Sequence, residues 1–267
     1  MTPVPPTAGQ LELVADGFSF PTSLAFDGEG TAYVAEAGLP FGGAPPGGRI
    51  WRLTPDGSRS LLADGLRPPV NGLTFHQGSV YVSEGGHPGR ISRRAPDGQL
   101  TVILDNLPGP GNYHTNMVAF GPDDKLYFSQ GAMTNTGIVG LDAYELGWLR
   151  RLPHAHDLPG HDIVLAGVNV RTPNPLSAEP GAQTETGAVV PFGTSTTARQ
   201  RIAAELPCTA AIMRCNPMGT ISNWSPGASG TPMGSGSCPM VGCLPRIKGR
   251  TTGGVGPWVT GRTCSTK

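Results

Sequence analysis

A strand-turn-strand unit recurs three times in the first half of this chain, and that repeat constrains the fold more than any other feature. The copies run from Pro21-Thr22-Ser23-Leu24-Ala25-Phe26 to Tyr33-Val34, from Val70-Asn71-Gly72-Leu73-Thr74-Phe75 to Tyr81-Val82, and from Asn116-Met117-Val118-Ala119-Phe120 to Tyr127-Phe128. In each copy apolar residues alternate with a period of two, which turns one face of a strand inward, and a turn rich in Asp and Gly closes a hairpin. A second element follows the first two copies. It reads Gly48-Arg49-Ile50-Trp51-Arg52-Leu53-Thr54-Pro55-Asp56-Gly57 and then Gly89-Arg90-Ile91-Ser92-Arg93-Arg94-Ala95-Pro96-Asp97-Gly98, and each leads into a further apolar strand. Ala211-Ile212-Met213-Arg214-Cys215 is a fainter copy. Four short strands in a period of about 40 to 50 residues make one blade of a propeller.

Composition agrees with that reading. The 267 residues include 40 Gly and 28 Pro, with 37% hydrophobic and 6% aromatic residues. So many turn formers exclude a helix bundle or a coiled coil, and no apolar run approaches the roughly 20 residues of a membrane-spanning helix. Nineteen basic residues balance 19 acidic ones. Without a basic cluster in the first 200 residues, nucleic acid is excluded as a partner, since phosphate binding needs a basic face. A small molecule or another protein is the expected partner. The five cysteines, at 208, 215, 238, 243 and 264, are odd in number and form no C-x-x-C pair, so no disulfide framework is expected. Met1-Thr2-Pro3-Val4-Pro5-Pro6 has neither a basic start nor an apolar core, so no secretory signal is expected in the sequence as it stands.

These patterns divide the chain into a flexible N-terminus (1–10), propeller blades (11–131), a loop insertion (132–206), a partial blade (207–220) and a low-complexity tail (221–267). The expected fold is all-β: a six-bladed-type β-propeller, incomplete at about three to four blades, with a long irregular insertion and a disordered tail. A loop as long as the insertion is usually functional or disordered, and a lid over the propeller face is the favoured reading.

Gly48-Arg49-Ile50-Trp51-Arg52-Leu53, Asn71-Gly72-Leu73-Thr74-Phe75-His76 and His114-Thr115-Asn116-Met117-Val118-Ala119-Phe120-Gly121-Pro122-Asp123 together resemble the glucose/sorbosone dehydrogenase family. The resemblance covers about residues 11–217. It implies a six-bladed propeller and, from the characterised enzyme members, oxidation of a sugar or alcohol hydroxyl with pyrroloquinoline quinone (PQQ) and calcium. It also implies a periplasmic or secreted location. Equivalent positions at the starts of the inner strands converge on one channel, where the resemblance places His114 as catalytic base and Asn71 and Asn116 as cofactor-binding residues. An imidazole suits the base role, because its pKa lies near neutrality. Most relatives carry the histidine one place earlier, where this chain has Tyr113. The alternative for His114 is a histidine satisfied by backbone at a strand start.

Two further groups are candidate sites. His154, His156, Asp157, His161 and Asp162 crowd into nine residues and carry donors suited to a transition metal, but their spacing matches no helix-borne or finger-type site. A solvated loop is the expectation, and no metal ligand is assigned. Glu36 and Glu84 stand at equivalent repeat positions and would suit a metal-dependent lactonase of the gluconolactonase type, but the third position is Gln130.

The tail departs from the family. Residues 221–267 contain no Asp, Glu, Phe or Tyr, and the Arg-Asn-Pro motif that opens the next blade in the family is missing. Read from the third base of each codon, Ile221 onward permits Leu-Glu-Leu-Val-Ala, the string at Leu11–Ala15, and then Arg-Asn-Pro at the repeat spacing. A frameshift near codon 217 is therefore expected, with a natural low-complexity extension as the alternative. An open set of blades leaves edges and apolar faces uncovered, so marginal stability is expected. Three functions remain: a quinoprotein dehydrogenase whose activity belongs to the intact form, a non-catalytic propeller that binds a ligand or protein, and, ranked last, a lactonase.

Overall fold

The computed structural model describes residues 11–39, 44–111 and 115–217. His114 and the tail from 218 lie outside the described residues, and so does the whole of the second compact unit, residues 225–267. The first blade is an antiparallel meander of β1 (Pro21–Phe26), β2 (Ala32–Glu36), β3 (Gly48–Leu53) and β4 (Arg59–Leu66). The second repeats it with β5 (Val70–His76), β6 (Ser79–Glu84), β7 (Gly89–Arg94) and β8 (Leu100–Leu107). The third opens with β9 (Thr115–Phe120) and β10 (Leu126–Gln130).

A long insertion then leaves the sheet. It is mostly turns and extended segments, with two short helices, α1 (Leu141–Glu145) and α2 (Trp148–Arg151). Two small antiparallel pairs follow: β12 (Asn169–Pro173) and β13 (Gln183–Gly187) form a hairpin, and β11 (Ile163–Val164) pairs with β14 (Arg201–Ile202), on either side of it in sequence. The chain re-enters the third blade as β15 (Ala211–Cys215), antiparallel to β10. The faint repeat copy thus fills the third-strand place of the third blade. The fold is an incomplete β-propeller: two complete blades and three strands of another among the described residues.

Turn chemistry explains why the strands stop where they do. Asp27, Asp56, Asp97 and Asp123 each accept, through Oδ1, the backbone N–H two residues on, at 2.9, 2.9, 3.0 and 3.3 Å. That bond closes a turn which Asp makes and Leu or Val cannot, so the recurring Asp sets the hairpin ends. The Thr54 hydroxyl and the Ser58 amide hold the Asp56 carboxyl below its usual range.

The core lies between blades. Tyr33, Ala35 and Ile50 of the first blade pack with Val70, Leu73, Val80 and Val82 of the second. Tyr81, Ile91, Ile103 and Leu107 of the second pack with Val118, Leu126 and Phe128 of the third. The insertion has its own small core of Met133, Val139, Ala143, Leu149 and Phe192. The buried Asp157 carboxylate holds that region together. It accepts bonds from Met133 N (2.6 Å), Thr134 N (3.1 Å), Thr134 Oγ1 (2.6 Å) and Thr209 Oγ1 (2.8 Å).

Inner strands β1, β5 and β9 run side by side, and Gly72 marks the closest approach. A Cβ there would lie 2.8 Å from Ser83 Oγ and 2.9 Å from the Met117 Cα of the neighbouring strand, and would collide with the Asn116 carbonyl oxygen. Backbone cannot step aside as a flexible side chain can, so Gly72→Ala should destabilise the chain by about 1–3 kcal/mol. Chemical denaturation of the two proteins checks this; an unchanged midpoint would refute the close approach.

Candidate functional site

The starts of the inner strands lie at one end of the blades. The described loop residues at that end are 37–39, 44–47, 67–69, 85–88 and 108–111, and the insertion leaves and re-enters there. Each second strand finishes at this end with a buried acid or amide: Glu36, Glu84 and Gln130. Their partners in register on the third strands are Arg49, Arg90 and Ala211.

The register explains the chemistry of all six positions. Glu36 lies 3.7 Å from Arg49 Nη1 and accepts Ser19 N at 2.7 Å. Glu84 is fully buried and takes Arg90 Nη2 at 2.9 Å, Arg67 N at 2.6 Å and the Ser92 hydroxyl. An unpaired carboxylate here would cost several kcal/mol, so acid and arginine must be present or absent together. In the third blade both are gone: Gln130 replaces the acid, Ala211 replaces the arginine, and Thr115 Oγ1 donates to Gln130 Oε1 at 2.7 Å. Glu36 and Glu84 therefore act as neutralised pins between strands, which does not favour the metal-ligand role weighed for them.

Asn71 and Asn116 come to rest on adjacent inner strands, β5 and β9. Asn71 Nδ2 donates to the Thr115 carbonyl at 3.3 Å, and the equivalent residue of the first blade does the same, with Thr22 Oγ1 donating to the Val70 carbonyl at 2.7 Å. Asn71 is thus a clasp between blades, which accounts for it without a ligand. The Asn116 carbonyl accepts the Ser83 hydroxyl. His114 lies outside the described residues, just ahead of β9.

The histidine-rich segment 154–162 does not act as one cluster. Asp157 turns inward as the staple already described, and Asp162 Oδ1 accepts Ala204 N at 2.9 Å. His154 and His156 instead line a groove of about 310 Å³ together with Arg151 and, from the second blade, His87, Pro108 and Pro110. Among the described residues no group of three His, Cys, Asp or Glu could hold a metal ion.

Two of the imidazoles are complementary. His87 Nδ1 accepts the Gly109 N–H at 3.2 Å, and burial pushes the His87 pKa down, so the ring is neutral with its proton on Nε2. His156 Nδ1 lies 2.9 Å from the Asp157 carbonyl and must carry the proton there, so in the neutral ring Nε2 is an acceptor. One ring offers a donor and the other an acceptor, as a hydroxyl group requires. Sequence reasoning passed over His87 and Arg151; the signal was a histidine in Gly85-Gly86-His87-Pro88-Gly89, a loop at the end where the inner strands begin.

No family model matches the chain, and no curated protein does. Solved structures with a similar fold over part of the chain include the PQQ-bound aldose sugar dehydrogenase of Streptomyces coelicolor. That match has 23% identity and a TM-score of 0.39, covering 50% of this chain and 45% of that one. A Thermus thermophilus protein provisionally described as an oxidoreductase (glucose dehydrogenase) matches at 25% identity and a TM-score of 0.38, covering 46% and 41%. The periplasmic gluconolactonase PpgL of Pseudomonas aeruginosa matches at 17% identity and a TM-score of 0.34, covering 66% and 59%. The chain spans less than half the length of the first two. These neighbours are sugar dehydrogenases and a gluconolactonase at low identity.

His87 is exposed at its edge and only partly desolvated, and its lowered pKa gives a pH test of small amplitude. The unfolded chain takes up a proton near pH 6.5, while the folded chain resists until the lowered value is reached. Stability should therefore hold above pH 6.5 and fall as the pH drops from there through the folded pKa. Denaturation midpoints of wild type and His87→Gln across that range check it; an equal slope in the variant would show that His87 contributes nothing.

Proposed function

We propose that this chain is part of a propeller enzyme of the sugar-dehydrogenase type, and that its second blade and insertion hold a polyhydroxylated substrate. The observation that carries this is the groove in which His87 offers an N–H and His156 a lone pair. Hydroxyl groups both donate and accept, so adjacent hydroxyls of a sugar or sugar alcohol satisfy both rings, and Arg151 supplies a further set of donors. The prolines at 108 and 110 give the same groove an apolar wall.

The described residues do not fit PQQ with calcium. PQQ is a planar tricarboxylate and needs uncommitted cations. Arg49 and Arg90 are held by Glu36 and Glu84, and Arg67 Nη1 donates to the Pro88 carbonyl at 3.0 Å. The Asn71 amide is taken by Thr115, and the Arg-Asn pair that the family would supply is missing from residues 221–267. No catalytic step is therefore drawn through the quinone. The proton-abstracting role stays with His114 by resemblance, in the intact form of the enzyme, with a periplasmic or secreted location. Among the described residues no helix is long and apolar enough to cross a membrane.

The second reading, a non-catalytic binding module, is favoured by the same commitment of Arg49, Arg67 and Arg90 to protein partners. Calorimetric titration with monosaccharides and sugar alcohols, beside a dye-linked oxidation assay with added PQQ and calcium, separates the two. The expected result is saturable sugar binding, weakened roughly tenfold in His87→Ala (about 1.4 kcal/mol), with no PQQ-dependent dye reduction by this chain. Turnover that depends on PQQ would overturn the cofactor part of this reading. Absence of any sugar binding would leave the protein-binding module in its place.

A further inference from the structure

The groove between the insertion and the second blade carries a charge that hydroxyl groups do not need. Of the described residues that line it, Arg151 is a fixed cation, His87, His154 and His156 are imidazoles, and none is acidic. Two acids close by in sequence are already committed. Asp157, beside His156, turns inward to Met133, Thr134 and Thr209, and Glu84, ahead of the loop that holds His87, is taken by Arg90, Ser92 and the Arg67 N–H. The ion pairs among the described residues involve Arg49, Arg90, Arg214 and His76, and not Arg151.

Two contacts fix the Arg151 head without using it up. Arg151 ends α2, its guanidinium carbon lies 4.3 Å from the centre of the Trp148 ring, and Nε donates to the Gly147 carbonyl at 3.3 Å. Both Nη groups are left without a partner among the described residues. A guanidinium held against an aromatic ring is restrained in orientation, and its planar fork of N–H groups matches the two oxygens of a carboxylate. A sugar hydroxyl uses one of those bonds. A carboxylate uses two, and its charge as well.

We propose that the ligand of this groove is a sugar acid, whose carboxylate is held by the Nη groups of Arg151 while its hydroxyls meet His87 and His156. The proposal rests on the reading of the groove as a sugar site and names the class of sugar. A volume of about 310 Å³ lies at the small end of ligand clefts and suits a single ring. One guanidinium balances one carboxylate, so Arg151 does not supply what the three carboxylates of a quinone would need. The next residue along is a built-in contrast. Arg150 lies 4.4 Å from the centre of the Tyr144 ring and is not among the residues lining the groove.

Calorimetric titration of the full chain with glucose and with glucuronate tests the proposal, since the two share a ring and its hydroxyls and differ in the carboxylate. Glucuronate should bind roughly tenfold tighter or more at low salt, and that ratio should shrink as salt rises to about 0.5 M. Arg151→Gln should bring the ratio close to one. Arg150→Gln removes the same charge one residue away and should keep it. Both side chains are exposed, so neither substitution disturbs the core. Equal binding of the two sugars by the wild type overturns the sugar-acid proposal and leaves the sugar groove standing. Binding of neither overturns the groove reading together with the proposal. A ratio lost equally in both variants overturns the assignment to Arg151, because net charge rather than the fork would then set the preference.

Discussion

A propeller blade is a sheet with two apolar faces, and it is stable only between neighbours that cover both. The other features of this chain follow from that constraint. It explains why the core lies between sheets, why Ile50, Leu73, Ile91 and Val118 are buried, and why Gly72 cannot bear a side chain where β5 meets β9. Thr22 and Asn71 supply the polar part of the same junctions, since each satisfies a carbonyl at the start of the neighbouring inner strand. Only the middle blade has both faces covered by described residues.

Junctions that hold the blades together also deliver the loops to one end. There the strands are pinned by a buried acid and arginine pair in the first two blades and by an uncharged pair of positions in the third. The joint change from Glu and Arg to Gln130 and Ala211 follows from the cost of an unmatched buried charge. It also coincides with the blade whose second and third strands are separated by the insertion. The groove between that insertion and the second blade needs no charge cluster. Its two imidazoles are set in opposite tautomers by the backbone groups they touch, a Gly109 N–H and an Asp157 carbonyl.

Much of the fold was legible in the sequence because its signals are local. Alternation of Leu24 with Phe26 and of Leu73 with Phe75, the Pro-Asp-Gly turns and the faint copy at Ala211–Cys215 each report on a few adjacent residues, and the sheets form there. The insertion was less legible, because its small core joins Met133 to Phe192 and its staple joins Asp157 to Thr134 and Thr209, contacts with no periodic signature. The site was the least legible. Asn71 was singled out for its repeat position, but that same position makes it a clasp between blades. His87 and His156 become partners only through the tertiary fold, and Glu36 and Glu84 looked like ligands until the register set Arg49 and Arg90 beside them.

Native-state hydrogen exchange on dilute protein tests most directly whether coverage by neighbouring blades sets stability. The account predicts that amides of β6 and β7, in the blade covered on both faces, exchange slowest and only through global unfolding, while β1 and β15 open earlier. Equal protection across the blades, or the strongest protection in the insertion, would contradict it.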